Sequence, residues 1–98
     1  MTEKQFQTKV IKWLTNINAY VVNVWGGGYQ TAGIPDLLVC YEGKYLAIEL
    51  KTEKGKVSVL QKWNIQKIKD AGGVAIILRP SEFENFKKGV INGGIFLQ

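Results

Sequence analysis

Histidine is absent from this 98-residue chain. Without an imidazole, Ser-His and Cys-His nucleophilic pairs, His-ligated metal nucleases and zinc sites that need a His ligand are all excluded. Cysteine is almost absent: Cys40 alone can build neither an internal disulfide nor a cysteine-cluster metal site. It reads as a small packed hydrophobe in a reducing compartment. Proline occurs twice, and no Ser/Pro-rich linker, repeat or low-complexity tract divides the sequence, so residues 1–98 read as one domain. The longest wholly apolar runs, Leu37 to Tyr41 and Val74 to Leu78, hold five residues each. A bilayer span needs ~20, and no signal-peptide pattern opens the chain. The expectation is a soluble, cytoplasmic protein.

What is present is a basic chain with enough apolar residues for one core. Lysine and arginine number 13 against 8 acids, a formal net charge of +5, and 46% of residues are hydrophobic. At this length folding buries only about two-thirds of the surface that the unfolded chain exposes. Thr2 and Gln5 read as a capping box for a helix over Glu3 to Thr15, with Phe6, Val10, Trp13, Leu14 and Ile17 at helical spacing. Tyr20 to Trp25 predicts a strand, and Gly26 to Gly33 a flexible loop with room to close over a substrate. Strands from Pro35 to Tyr41 and from Lys44 to Lys51 flank a Glu42-Gly43 hairpin turn, and a loop follows over Thr52 to Val57. Ser58 is a plausible N-cap for a second helix, which Gly72 and Gly73 end. Val74 to Leu78 is a buried strand reached by a helical crossover, so a mixed sheet in the order αβββαβ is expected. Ser81 with Glu84 predicts another capping box and a short helix to about Lys88, then an extended tail over Gly93 to Gln98.

Glu49 and Lys51 lie two apart in a strand and share a face, while Ile48 and Leu50 point the other way. Asp36, after a proline at the start of the hairpin partner, can meet them there. Two hard oxygen ligands with open coordination positions suit Mg²⁺ or Mn²⁺ better than zinc, and a lysine beside them can orient water and offset developing charge. A strand-surface ion pair with Asp36 capping a turn fits the same spacing, which leaves both readings open. At 100° per residue, Glu3 falls within the arc of Phe6, Val10, Leu14 and Ile17. It reads either as a functional inward acid or as a solvated first-turn glutamate favoured by the helix dipole. Gln61 lies on the inward arc of its helix, where an amide needs partners, although Asn64 shares that arc. From Lys51 to Asp70 run six lysines against two acids. With Lys54, Lys56 and Lys62 as backbone contacts, this stretch would draw nucleic acid phosphate, and a solvated lysine face is the alternative. Trp13, Trp25 and Trp63 read as core or interface residues, and Trp63, off the inward arc, as a surface aromatic facing a partner subunit.

Gly33-Ile34-Pro35-Asp36, then Ile48-Glu49-Leu50-Lys51-Thr52, then Gln61 and Trp63, resemble the PD-(D/E)xK nuclease core as found in the VRR-NUC (virus-type replication and repair nuclease) family. Lys54-Gly55-Lys56 after the lysine and the Ala71-Gly72-Gly73 helix end extend the likeness over nearly the whole chain. The resemblance implies an α/β, restriction-endonuclease-like fold. It also implies that Asp36, Glu49 and the Leu50 carbonyl hold Mg²⁺ or Mn²⁺, that Lys51 positions the attacking water, and that Gln61 has a role in the site. In related resolvases an N-terminal helix glutamate joins the metal site, the place of Glu3 here. Short standalone domains of this kind resemble viral enzymes that resolve branched DNA as symmetric dimers. The implied function is therefore a four-way (Holliday) junction endodeoxyribonuclease of a phage or similar replicon, acting as a homodimer. A flap, nicking or general endonuclease is the alternative within enzymes, and a non-catalytic basic DNA-binding module the alternative outside them.

Overall fold

Thr2 and Gln5 form the expected capping box. The Thr2 hydroxyl accepts from the Gln5 amide and the Gln5 side chain from the Thr2 amide, opening helix α1 (Glu3–Asn16) with Phe6, Val10 and Leu14 buried along one face. In this computed structural model, which describes residues 1–24 and 32–97, α1 leads into β1 (Tyr20–Asn23), β2 (Leu37–Tyr41) and β3 (Lys44–Leu50). Glu42 and Gly43 both take positive φ, 50° and 78°, as a tight two-residue hairpin requires. Helix α2 (Val59–Asp70), strand β4 (Val74–Leu78) and helix α3 (Phe83–Asn92) complete the main elements.

The sheet runs β1-β2-β3-β4. The first three strands pair antiparallel. β4 lies parallel to β3, from Leu46 opposite Val74 to Leu50 opposite Leu78, because α2 carries the chain back before β4 begins. This is the mixed αβββαβ sheet expected from the sequence, with α3 added after it. Side-chain alternation divides the sheet into two faces. Leu37, Val39, Leu46, Ile48, Leu50 and Leu78 pack with α1 and α3. There Phe83 meets Phe6 edge-on at 5.7 Å and lies 6.3 Å from Trp13. On the other face Ala47 and Ala75 leave room for Ile65 of α2. Glu49, two residues beyond Ala47, shares this second face.

Four expectations need correction. Near residue 80 the Glu82 carboxylate accepts from the Arg79 amide at the start of a short 3₁₀ turn over Pro80–Glu82, in place of the expected Ser81–Glu84 capping box. Ser81 is already engaged, its amide and hydroxyl both donating to the Glu53 carboxylate. The last helix runs past Lys88 to Asn92, because Phe83, Phe86 and Val90 make a buried stripe that outweighs the cost of Gly89 within the helix. The terminal segment is a 3₁₀ turn over Gly94–Leu97 with Ile95 buried, not an extended tail, and it packs beside Gly89 of the last helix. Cys40 is exposed, because it alternates onto the face of β2 opposite Val39. The expected end of the first strand at Trp25 and most of the glycine-rich loop lie outside the described residues. No helix among those described is long and apolar enough to cross a membrane.

Phe83 joins α3 to α1 through Phe6 and Trp13, so Phe83→Ala should cost about 3–5 kcal/mol. Urea unfolding should show the loss as a lower midpoint with little change in slope.

Candidate active site

The ladder between β2 and β3 creates the site where it ends. Leu37 pairs with Ile48, and extending that register sets Pro35 across from Leu50. A proline has no N–H to offer the Leu50 carbonyl. The Leu50 amide donates instead to Asp36 Oδ2 at 2.8 Å, which fixes the aspartate beside Glu49. Gly33, at φ 86°, brings this approach against α2: a Cβ there would stand 2.7 Å from Leu60 Cγ and 2.9 Å from the Asn64 amide nitrogen. The glycine before Ile34-Pro35-Asp36 is thus required both by its backbone conformation and by the nearness of the helix.

Glu3, Asp36 and Glu49 come together, each offering a carboxylate oxygen within 4.8 Å of the others. Their settings differ. Glu49 is 2% exposed, Asp36 is half-buried, and Glu3, at the start of α1, is exposed. Glu49 Oε2 accepts from the Gln61 side-chain amide at 3.0 Å, and Lys51 Nζ lies 3.9 Å away. Gln61 also closes the N-terminus of α2, its Oε1 accepting from the Ser58 amide while its own amide donates to Ser58 Oγ. The capping box therefore aims Gln61 Nε2 at the carboxylate. Burial, reinforced by the neighbouring Asp36 charge and opposed by Lys51, pushes the Glu49 carboxyl up to about 8. Glu49 Oε1 is buried without a hydrogen-bond partner among the described residues. A buried acceptor left unpaired among three convergent carboxylates suits a hard divalent cation, which accepts oxygen ligands and cancels their repulsion.

The candidate phosphate-binding lysines, on either side of Gln61 in sequence, are solvent-exposed. Lys54 and Lys56 are exposed on the loop that follows Lys51, and Lys62 is exposed on α2. Trp63 is 55% exposed, with Lys67 Nζ 5.3 Å above its ring, while Trp13 packs inside against Phe83 and Phe86. An open groove of about 560 Å³, lined by Glu3, Lys4, Gln7, Thr8, Ile11 and Asn23, begins at the glutamate. Arg79 is absent from the sequence reading, yet it fastens the loop after Lys51. The available signal was its singularity, as the sole arginine in a chain otherwise made basic by lysine, at the end of a buried strand.

No protein-family model matches this sequence, and no curated protein is significantly similar to it. Among solved structures, that of Hjc, a Holliday junction resolvase from the archaeal hyperthermophile Archaeoglobus fulgidus, aligns with a TM-score of 0.60 at 21% identity. The alignment covers 78% of this chain and 66% of that one, a little under two-thirds of the resolvase. The shared architecture is the α/β PD-(D/E)xK fold.

A carboxyl raised from 4.5 to about 8 in the folded state contributes stability that is complete below its unfolded pKa and is lost as pH rises through the folded value. Without metal, the melting temperature should therefore fall between about pH 4.5 and 8. Glu49→Gln should flatten that decline and raise the melting temperature at pH 8 by roughly 5–10 °C, about 1–2 kcal/mol. Calorimetric scans across pH of the metal-free wild type and variant check both.

Proposed function

We propose that this chain is a divalent-metal-dependent endodeoxyribonuclease of the VRR-NUC type, one domain over residues 1–98, that resolves four-way DNA junctions in the cytoplasm. The convergence of Glu3, Asp36 and Glu49 beside Lys51, on a fold similar to that of a junction resolvase, carries this reading. Asp36, Glu49 and the Leu50 carbonyl would hold Mg²⁺ or Mn²⁺, with Glu3 completing the acidic side. A bound ion supplies Lewis-acid polarisation of the phosphoryl oxygen and makes water more acidic. Gln61 holds one oxygen of Glu49 and leaves the other to the cation. The Leu50 amide does the same for Asp36. Lys51 Nζ orients the attacking water for in-line displacement and offsets charge on the pentacoordinate transition state. Lys54, Lys56 and Lys62 draw the phosphate backbone without reading bases.

Symmetric cutting of a junction needs two active sites, which supports a homodimer. Trp63 and Val59, 55% and 85% exposed on α2, supply an apolar surface for it. Light scattering at micromolar concentration should give about twice the 11.0 kDa chain mass; a monomer that remains active would contradict the paired-cut reading.

Lys51→Ala or Asp36→Asn should slow cleavage roughly a thousandfold while folding and DNA binding persist. Matched linear, flap and four-way-junction substrates, each with Mg²⁺ and with Mn²⁺, test the reaction and its preference together. Uncut junctions beside cut flaps or linear duplex would favour the more general endonuclease, and no cleavage of any substrate would leave a basic binding module.

Binding and turnover should separate. Replacing Lys54, Lys56 and Lys62 with Gln should weaken binding to every substrate alike and lower the slope of log K against log salt by roughly 2.7, about 0.9 per lost phosphate contact. The saturated single-turnover rate should stay nearly unchanged, because uniform binding is what those residues supply. A salt titration of the triple variant beside the wild type measures the slope; an unchanged slope would make these lysines a solvated face.

A further inference from the structure

The exit from β3 is held by a side chain from the neighbouring strand. Arg79 Nη1 donates to the carbonyls of Thr52 at 2.6 Å, Gly55 at 2.8 Å and Glu53 at 3.2 Å. Three carbonyl dipoles from four consecutive residues point at one nitrogen. Without positive charge at their focus they would repel one another and turn outward to water. The fastening runs in the other direction as well, since the Glu53 carboxylate accepts from the Ser81 amide and hydroxyl at the start of the segment after β4. Between these contacts the Lys51 amide donates to the Leu78 carbonyl at 3.0 Å.

The loop so held passes close beside the lysine of the site. A Cβ placed on Gly55 would lie 3.0 Å from Thr52 Oγ1 and 3.4 Å from Lys51 Cδ. The Gly55 backbone thus stands about one methyl group away from the methylene stem of Lys51 and forms a wall on that side of it; Lys51 Nζ lies 3.9 Å from Glu49. A lysine stem has four rotatable bonds and considerable rotamer entropy. Fixing the wall narrows where the ammonium can go. We infer that Arg79 is a positioning residue: by gathering the Thr52, Glu53 and Gly55 carbonyls it sets the loop that confines Lys51 beside the acidic cluster and displays Lys54 and Lys56. This role rests on the nuclease reading for its effect on cleavage, but not for its effect on the loop or on Lys51.

The test compares wild type, Arg79→Ala and Arg79→Lys, with Glu84→Gln as a control that breaks only the surface pair with Lys87. Three readouts are taken: hydrogen exchange of residues 52–57, the Lys51 Nζ resonance by NMR, and the single-turnover rate at saturating DNA and metal. Arg79→Ala should speed loop exchange at least tenfold, shift the Lys51 resonance and lower the saturated rate about tenfold, with Mn²⁺ affinity unchanged. Arg79→Lys, a cation without the planar fork, should recover part of each. The control should match wild type throughout. Unchanged loop exchange in Arg79→Ala would overturn the proposal, as would a loosened loop with the Lys51 resonance unmoved. If the wild type cleaves no DNA, the nuclease reading fails, and the exchange and NMR measurements still decide the role of Arg79. Should Arg79→Ala not fold, Gly55→Ala, whose methyl would crowd Thr52 Oγ1 and fill the gap beside the same stem, must shift the Lys51 resonance for the proposal to stand.

Discussion

A carboxylate inside a protein is costly unless something cancels its charge, and the burial of Glu49 beside Asp36 is the constraint around which this end of the fold is arranged. The strand that carries it is otherwise a core strand, with Leu46, Ala47, Ile48 and Leu50 all buried, so Glu49 cannot turn outward without unpacking the sheet. Lys51 and Gln61 attend to one of its oxygens. The other is unpaired among the described residues, and Asp36 and Glu3 add charge of the same sign rather than relieving it. A chain that maximised its stability would place an apolar residue here. Keeping three acids together is understandable if a cation completes the site, at the expense of stability when the cation is absent.

Much of this arrangement follows from backbone chemistry. Pro35 ends the β2 ladder by withholding an N–H, which leaves the Leu50 carbonyl without that donor, while Asp36 takes the Leu50 amide. One dipeptide thus prepares both a backbone and a side-chain oxygen at the same place. Gln61 shows a similar economy, because the capping interaction that begins α2 also directs its amide toward Glu49. Secondary structure and site are here specified by the same residues.

The strands, two of the helices and the mixed pairing were legible because each depends on local patterns: capping residues, alternation and the short hairpin turn. The meeting of Asp36 with Glu49 was legible too, since hairpin register brings the strands' ends together. Glu3 could not be settled by helical angle, because whether a first-turn acid reaches a site depends on how α1 lies across the sheet. The Ser81 capping box misled because Glu53, remote in sequence, claims the same serine. Cys40 misled because a five-residue apolar strand suggests burial on both faces, whereas α2 covers Ala47 and Ala75 and leaves Cys40 open. Arg79 escaped notice for a related reason: its partners are loop carbonyls more than twenty residues away, and no side-chain pattern announces them.

A divalent cation held by the acidic cluster is the central element of the proposed site. Mn²⁺ titration calorimetry at pH 7, repeated in buffers of different ionisation enthalpy, measures occupancy and proton release together. The site described here predicts binding accompanied by release of up to about one proton, since metal displaces the proton that the raised Glu49 carboxyl carries. Binding and release should both be lost in Asp36→Asn. Absence of binding at millimolar Mn²⁺, or binding that Asp36→Asn leaves intact, would contradict it.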